Sequence, residues 1–388
     1  MREWKEYRFS DFVEINPHVK LPPNELVSFV EMKDLDSRKR FCSPSSERRN
    51  GSGSKFEEHD TLFARITPCL ENGKICQVKG LRNKKGLGST EFLVFRGRDD
   101  ISDVNFVFYL SRWNEVRSHA EVNFDGTSGR QRVSKECFDD LLLNLPADIN
   151  EQSVIASVLS SLDDKIDLLH NQNATLEKMA KTLFRQWFVE EAKEEWEDIT
   201  VADMAIINQH TKNKNYPYSE IQYLDTGSIT EGVIEGFQYY TLNDAPSRAQ
   251  RLVKHNDILI SLVRPNQKHY GIIKNPSSNL VVSTGFCVLS CRNMSHYFLY
   301  LFLTSNDMTE YLHSIAEGST SAYPALKPSD IANLELKRPP ADKFSEFSNY
   351  ADAIWEKISH NQCQINTLTQ LRNTLLPKLM TGEIKVKI

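Results

Sequence analysis

The chain contains one internal repeat with a spacing of about 192 residues, and this repeat limits its possible folds more than any other feature. Segments of the first half recur in the same order in the second half, at offsets of 191 to 197 residues. The matches are Trp4, Asp11, Ile15 and Asn16 with Trp196, Asp203, Ile207 and Asn208; 60–68 with 257–265; 89–92 with 283–286; 106–110 with 297–301; and Leu141, Leu143 and Pro146 with Leu334, Leu336 and Pro339. Solenoid units are only about 20–50 residues long, so each copy is a domain-sized module.

Each module has the pattern of a mixed α/β (α+β) domain. Short runs rich in β-branched and aromatic residues lie at 61–66, 92–95, 258–263 and 285–289, separated by clusters of Gly, Pro, Asn and Ser. Such runs predict strands joined by turns. One helix is predicted in each module, at residues 104–118 and 294–314.

A long helix is predicted after each module. Residues 152–187 contain no Gly or Pro, and apolar positions follow one another in alternating steps of three and four. The first seam is Ile166, Leu169, Asn173, Leu176, Ala180, Leu183 and Trp187, and the second, 192 residues later, is Ile358, Asn361, Ile365, Leu368, Arg372, Leu375 and Leu379. This period of 3.5 residues is typical of coiled coils, in which a single polar seam residue usually fixes the register. We expect the two helices to pack on each other; the alternative is that each helix docks only on its own module.

The repeat and the helices together predict four segments. Residues 1–149 form the first module, 150–195 a central helix, 196–340 the second module, and 341–388 a C-terminal helix and tail. The mean hydropathy of −0.46 and the lack of a long apolar run predict no membrane span. Seven cysteines without a C-x-x-C pair, in a chain that starts without an apolar leader, favour a reduced, cytoplasmic protein.

The motifs that catalysis would require are missing from the sequence. There is no G-x-x-x-x-G-K-[ST] loop for a nucleotide and no H-E-x-x-H metal motif. Asn16-Pro17 and Asn275-Pro276 lack the second proline and the aromatic residue of an adenine-methylating tetrapeptide. We therefore expect no catalytic residue and no metal site in this chain.

Basic and amide side chains cluster where turns are expected, which favours recognition of DNA. Arginine pairs with guanine, Asn and Gln pair with adenine, and lysine neutralises phosphate. The candidates are Arg38, Lys39, Arg40, Arg65, Lys84, Arg130, Gln131 and Arg132 in the first module, and Lys212, Lys214, Arg264, Asn266, Gln267, Lys268 and Tyr323 in the second. The alternative for each cluster is a solvated loop on an ordinary surface. The clusters differ between the copies, since Arg65 aligns with Leu262 and Arg130-Gln131 with Ala322-Tyr323. One scaffold with two different loop sets suits a protein that recognises an asymmetric target in two parts.

Two helix-end motifs resemble those of specificity (S) subunits of type I restriction-modification enzymes. They are residues 373–384, which read NTLLPKLMTGEI, and residues 181–189, which read KTLFRQWFV. The runs at 60–68 and 257–265 and the loops at Gly126 and Gly318 are similar to parts of the target-recognition domains of that family, in the same order.

The resemblance implies a non-catalytic subunit of a complex that cleaves DNA and methylates adenine. Each target-recognition domain would read one half of a bipartite site in double-stranded DNA, through the major groove. The two long helices would pack as an antiparallel coiled coil, set the spacing and dock two methylating (M) subunits and up to two restriction (R) subunits. Adenosylmethionine, ATP and Mg²⁺ would be used by those partners, and this chain would need no cofactor. Arg372, at an apolar seam position, would loosen the helix pair locally.

Two other hypotheses remain open at this point. The duplicated modules would also suit a scaffold that binds proteins or other ligands and never contacts DNA. A self-contained nuclease or methyltransferase is the third reading. A length argument favours DNA, because the 21 steps from Ile166 to Trp187 span roughly 32 Å at ~1.5 Å per residue. One turn of B-DNA, about 34–36 Å, is the usual separation of half-sites.

Overall fold

The computed structural model describes residues 3–23, 25–127, 129–292, 295–318 and 324–387. It divides into two compact units, of which the first contains Met1–Gln172 with His360–Ile388 and the second contains Asn173–Ser359. Each unit therefore holds one module together with part of both long helices.

The first module is built mainly from short, largely buried strands. Its elements are β1 (Trp4–Arg8), α1 (Phe9–Phe12), β2 (Val13–Ile15), β3 (Leu26–Val30), β4 (Phe41–Cys42), β5 (Ser46–Arg49), β6 (Ser54–Glu57), β7 (Thr61–Ala64), β8 (Ile75–Val78), β9 (Lys85–Gly88), β10 (Phe92–Gly97), α2 (Val104–Arg112), α3 (Asn114–Val122) and β11 (Leu142–Pro146). One sheet has the order β2-β10-β7-β8-β4, a second the order β5-β3-β9-β6, and β1 pairs with β11. Strand β7 is buried on both faces, which explains its continuous apolar run.

The long central helix, α4 (Ile149–Arg185), follows and ends in one π-helical turn at Gln186–Glu190. The second module then repeats the plan of the first. Its elements are β12 (Asp198–Thr200), α5 (Val201–Met204), β13 (Ala205–Ile207), β14 (Glu220–Leu224), β15 (Ile229–Thr230), β16 (Val233–Ile234), β17 (Gln238–Thr241), β18 (Ala249–Leu252), β19 (Ile258–Ser261), β20 (Tyr270–Ile272), β21 (Leu280–Ser283), β22 (Phe286–Cys291), α6 (His296–Leu303), α7 (Asn306–Glu317), α8 (Pro328–Ala332) and β23 (Glu335–Lys337). The C-terminal helix is α9 (Ala341–Met380).

Apart from β4 in the first module and the pair β15-β16 in the second, the described strands of the two modules correspond one by one. The order β13-β22-β19-β20 matches β2-β10-β7-β8, the order β17-β14-β21-β18 matches β5-β3-β9-β6, and the pair β12-β23 matches β1-β11. The central pairs β3-β9 and β14-β21 are both parallel. The sequence repeat is thus a repeat of topology, and the α/β fold class is confirmed.

An asparagine that the two sequences share has one structural task in both modules. Asn16 and Asn208 follow β2 and β13 in the left-handed backbone region, with φ of 55° and 53°. The Asn16 side-chain oxygen accepts a hydrogen bond from the Val94 backbone N–H, at 2.9 Å. The Asn208 oxygen does the same with Val288, at 3.0 Å. Asparagine tolerates this conformation better than most residues, which explains the match.

The prediction of one helix per module is wrong, because both helices are broken. In the first module α2 and α3 are separated at Trp113, whose backbone is extended (φ −65°, ψ 138°). In the second module α6 and α7 are separated at Ser305, whose side chain caps the second helix by accepting a hydrogen bond from the Met308 N–H, at 3.2 Å. The four predicted strands are confirmed as β7, β10, β19 and β22, with ends that differ by one to two residues.

In each unit, α4 and α9 pack on each other and on the module of that unit. In the first unit Ile166 and Leu169 of α4 pack with Ile365 and Leu368 of α9. The start of α4 and the end of α9 also enter the core of the first module, through Ile155, Ala156, Leu159, Leu379 and Met380. In the second unit Phe184 and Trp187 contact the Phe347 ring. In the first unit residues 155–159 of α4 share a core with residues 379–380 of α9, and residues 166–169 pack with 365–368, so the two helices run antiparallel there.

Among the described residues, no helix has both the length and the apolar character needed to span a bilayer.

Candidate nucleic-acid interface

Three segments of the first module meet where β7 ends. The Arg65 N–H donates to the Glu91 carbonyl (2.9 Å), and the Val133 N–H donates to the Arg65 carbonyl (2.8 Å). The Thr67 N–H donates to the Gln131 carbonyl, at 3.0 Å. These bonds bring together five polar side chains from distant parts of the sequence. We call this group the first edge: Arg65, Glu91, Arg130, Gln131 and Arg132.

The side chains of the first edge differ in how firmly they are held. Arg132 forms a forked ion pair with Glu91, from Nε at 2.9 Å and from Nη2 at 2.8 Å. Arg130 is exposed and Gln131 half-buried. Arg65 is half-buried, and its enclosed Nε makes no hydrogen bond with the described residues. The first edge thus presents one arginine held by an ion pair, Arg132, and one exposed arginine without an ion pair to the described residues, Arg130.

The equivalent place in the second module is built by equivalent backbone bonds. The Leu262 N–H donates to the Gly285 carbonyl (2.7 Å), the Leu326 N–H to the Leu262 carbonyl (2.7 Å), and the Arg264 N–H to the Pro324 carbonyl (3.1 Å). We call this group the second edge: Leu262, Arg264, Gly285, Pro324 and Ala325. The same framework therefore carries Leu262 in place of Arg65 and Gly285 in place of Glu91.

These bonds correct one part of the alignment. Gln131 occupies the position of Pro324, at an offset of 193 residues, and not that of Tyr323. The β-bridges agree, because Ile66 pairs with Arg132 as Val263 pairs with Ala325. The backbone register, which residue counting could not fix across a loop of variable length, decides the match. Residues Ala322 and Tyr323 lie outside the described residues.

The other candidates of the second module lie on the loops around its edge and beyond. Arg264 and Lys268 flank the short turn Pro265–Gln267 and both have positive φ, at 49° and 55°. Asn266 and Gln267 are exposed on that turn. Lys268 donates to Asn306 at 3.4 Å and forms an ion pair with Glu231 at 3.1 Å. Lys212 and Lys214 lie in the loop between β13 and β14, where Lys214 is exposed.

The remaining candidates of the first module lie on two other loops. Arg38 and Lys39 are exposed before β4, and the Arg38 Nε donates to Asp36 at 3.0 Å. Lys84 is exposed just before β9. Arg40 is different, because only 7% of it is exposed. Its guanidinium donates to Gln77 at 2.9 Å and to Asn105 at 2.7 Å, so we leave Arg40 out of the proposed DNA surface.

The seam candidates all lie in or beside the helix pair. Ile166, Leu169, Asn173, Asn361 and Ile365 are buried. Leu176, Leu183, Ile358, Leu368 and Leu375 are half-buried. Both asparagines are thus enclosed at seam positions, where a polar group restricts the register that the helices can adopt.

Arg372 does not open the helix pair as its position in the apolar seam predicted. Its Nη1 donates to Asp163 of α4 at 2.7 Å, and the side chains of the two residues are only 9% and 2% exposed. The Tyr109 hydroxyl of α2 donates to the other Asp163 oxygen, also at 2.7 Å. Burial and the nearby Asp163 charge raise the pKa of Tyr109, which therefore stays a donor. The sequence held a signal for this network, since Asp163 lies three residues before Ile166 and therefore close to the same face of the helix.

The comparisons with known proteins identify the family. The model of the type I restriction modification DNA specificity domain matches residues 1–178 and again residues 193–375. The chain belongs to this family and contains two copies of its domain. The two matched ranges contain the two modules.

Individual relatives carry the same description. The chain is 29% identical to the type I restriction enzyme MjaIX specificity subunit of Methanocaldococcus jannaschii, over 73% of this chain and 69% of that one. It is 28% identical to the HindI specificity subunit of Haemophilus influenzae, over 47% of this chain and 40% of that one. Among solved structures, the S subunit of a type I restriction-modification system from M. genitalium aligns over 100% of this chain and 97% of its own, with a TM-score of 0.56 and 15% identity. That likeness supports the fold.

Proposed function

We propose that this chain is the DNA sequence-specificity subunit of a type I restriction-modification complex and acts in the cytoplasm without a catalytic centre of its own. Residues 1–149 and 196–340 each read one half of a bipartite, asymmetric site in double-stranded DNA, through the major groove. Residues 150–195 and 341–388 set the spacing between the halves. The same helices dock two methylating subunits and up to two restriction subunits, which use adenosylmethionine, ATP and Mg²⁺.

One observation carries this proposal. Equivalent backbone hydrogen bonds build the first and the second edge, yet most of the side chains at the positions that the bonds equate differ in charge or polarity. Arg65, Glu91 and Gln131 stand where the second edge has Leu262, Gly285 and Pro324. Folding alone does not require the side chains to differ while the backbone hydrogen bonds stay the same. Two readers of different base sequences do need it, because base edges are distinguished by donors, acceptors and apolar contacts.

The decisive experiment is to sequence methylated bases in cells that carry the chain and its methylating partner. We expect one motif with two unlike halves and a fixed gap. Replacing residues 1–149 by the corresponding module of another family member should change one half only. If both halves change together, the modules do not read separately. A complex that neither binds duplex DNA nor directs methylation would instead favour the scaffold for proteins or other ligands.

The spacer role has its own test. Adding one heptad to α4 and one to α9 lengthens the helix pair by roughly 10 Å at ~1.5 Å per residue. The gap in the methylated motif should then grow by about three base pairs, at 3.4 Å per base along the strand. An unchanged gap would remove the helices from the proposal and leave the modules as readers.

A further inference from the structure

The ion pair of the first edge differs from an ordinary surface pair because both partners are fixed by the backbone around them. Arg132 lies in a β-bridge with Asp125, in which the Arg132 N–H donates at 2.8 Å and its carbonyl accepts at 3.0 Å. The Glu91 N–H donates to the Ser89 hydroxyl at 3.2 Å, and the Glu91 carbonyl accepts from Arg65. The backbone is thus held at both ends of the ion pair, and the two bonds to Glu91 orient the guanidinium.

The hydrogen bonds of Arg132 leave a defined part of the guanidinium available. Nε and Nη2 donate to Glu91, and Nη1 donates to the Arg130 carbonyl at 3.2 Å. These bonds use three of the five N–H donors that arginine carries. Within the described part of the chain, one N–H on each terminal nitrogen is left for another acceptor. The side chain is 46% exposed, so a ligand can reach it from solvent.

Donors on the two terminal nitrogens of arginine suit the two acceptors on the major-groove edge of guanine, O6 and N7. Phosphate is the poorer match for this group. The Glu91 carboxylate cancels the arginine charge and repels a phosphate, and a neutral pair releases few counterions from DNA. An arginine whose plane is already fixed also loses little conformational entropy when it binds. Charge and geometry therefore both favour a base over the backbone.

We propose that Arg132 reads one guanine in the half-site of the first module and that Glu91 is the positioning residue that aims it. This inference rests on the proposed function, since it presumes that the first edge contacts DNA. It also assigns different tasks to neighbouring arginines. Arg130, which is exposed and forms no ion pair with a described residue, neutralises phosphate, whereas the Arg132–Glu91 pair recognises a base.

The test uses the complex of this chain with its methylating partner on a library of randomised DNA sites. Replacing Arg132 by Gln should lower the preference for guanine at one position by about ten- to a hundredfold, the range of a bidentate contact. Glu91→Gln should relax the same position by about fivefold and leave every other position unchanged, and Glu91→Asp should recover part of the preference. A module that failed to fold would instead lose its whole half-site.

Salt dependence separates the two tasks. Arg130→Gln should reduce the slope of log affinity against log salt by about one, without changing the preferred base. Glu91→Gln should not reduce that slope. Glu197→Gln is the matched control, because Glu197 pairs with Arg338 at 2.9 Å in the second unit, which contains no residue of the first edge. It should leave both the preferred bases and the slope unchanged.

The results also distinguish this inference from the function on which it rests. If the unaltered complex directs no bipartite methylation, the proposed function fails. If that complex works but Glu91→Gln leaves the guanine preference intact, or weakens all positions equally, only the assignment of Glu91 and Arg132 is overturned.

Discussion

The two modules share one fold but attach to the long helices by different chemistry. In the first unit Tyr109, Asp163 and Arg372 form a buried, hydrogen-bonded network that links α2, α4 and α9. The repeat places Tyr300, Trp355 and Ala180 at the same three positions in the second unit. There Trp355 stacks on Tyr297, with ring centroids 4.3 Å apart, and meets the Tyr300 ring edge-on at 6.2 Å.

We call the contact between a module and the long helices its joint. We infer from the difference that close packing matters more at a joint than any particular interaction. A charged joint has an exact geometric requirement, because each buried charge depends on its partner. An aromatic joint tolerates small shifts, because dispersion and apolar burial have little directionality. The first module is therefore held more specifically, and the second more permissively, against the same pair of helices.

The largest expected effect comes from breaking the charged joint. Arg372→Met removes the ion pair of the buried Asp163 and leaves Tyr109 as its hydrogen-bond partner among the described residues, which should cost about 3–5 kcal/mol of unfolding free energy in the first unit. Hydrogen exchange followed by mass spectrometry can measure this loss in peptides of α2 and α4.

The triple change Tyr109→Phe, Asp163→Leu, Arg372→Met is the control for that loss. It replaces the whole network by apolar groups of similar size, which is often neutral or stabilising. We expect it to restore stability to within about 1–2 kcal/mol of the original. A triple variant as unstable as the single one would show that the network is needed as such.

A smaller loss is expected at the aromatic joint. Trp355 is only partly buried, so Trp355→Ala should destabilise the second unit by about 2–3 kcal/mol, below the range for fully buried tryptophan. Trp355→Phe should retain most of this stability. Urea denaturation at low and high salt checks the contrast, because the loss in the second unit should not depend on salt.

We expect the first and the second edge to bind different half-sites, so that a change in one edge affects DNA binding at one half-site only. Reversing the charges of Arg130 and Arg132 to Glu should weaken binding to the half-site of the first module by about 2 kcal/mol, through one lost base contact and one repelled phosphate. Binding to the half-site of the second module should stay within twofold. Competition between sites mutated in one half measures both quantities, and an equal loss at both halves would contradict separate reading.

The smallest expected difference is a dependence on acid pH. Burial and the charge of Lys274 lower the pKa of His296 from 6.5 to about 3, whereas the first module has Asn105 at this position. Between these two pKa values the unfolded chain binds a proton that the folded chain does not. Stability of the second unit should therefore fall as pH decreases from 6.5 toward 3.

The change His296→Asn, which introduces the residue of the first module, isolates this effect. The unfolding free energy of the second unit should then depend less steeply on pH, by at most about one bound proton per molecule. The change should be smaller than this limit because solvent screens a partly exposed ring. Unfolding measured at several pH values tests it, and an unchanged slope would mean that His296 does not contribute.

Much of the fold could be predicted from the pattern of residues. The repeat predicted two equivalent modules, because a shared framework such as Asn16 and Asn208 serves the same backbone turn in both. The seam predicted helices that pack together, because period and burial are linked directly. The breaks at Trp113 and Ser305 were missed because neither Gly nor Pro marks them, although Ser305 is a preferred N-cap residue and its side chain caps the second helix.

The candidate site was less predictable. Arginines in expected turns were selected as a class, so Arg40 and Arg132 counted as equal candidates for DNA, whereas Arg372 stood out only as a charge in the apolar seam. The structure distinguishes all three. Arg40 is enclosed by the first module, Arg132 is held on its surface by Glu91, and Arg372 is buried against Asp163. The four-segment division and the assignment of individual DNA contacts stay predictions.

What the sequence alone determined is the plan: two copies of one module, each followed by a helix with the same apolar period. The repeat and the apolar period can both be recognised in the sequence, because burial of apolar surface imposes a regular spacing of apolar residues. Only the tertiary structure decided which charges face solvent and which are neutralised. The physical reason is distance along the chain, because Asp163 and Arg372 are 209 residues apart and Glu91 and Arg132 are 41 apart. The burial and pairing of a charge depend on neighbours that only folding brings together.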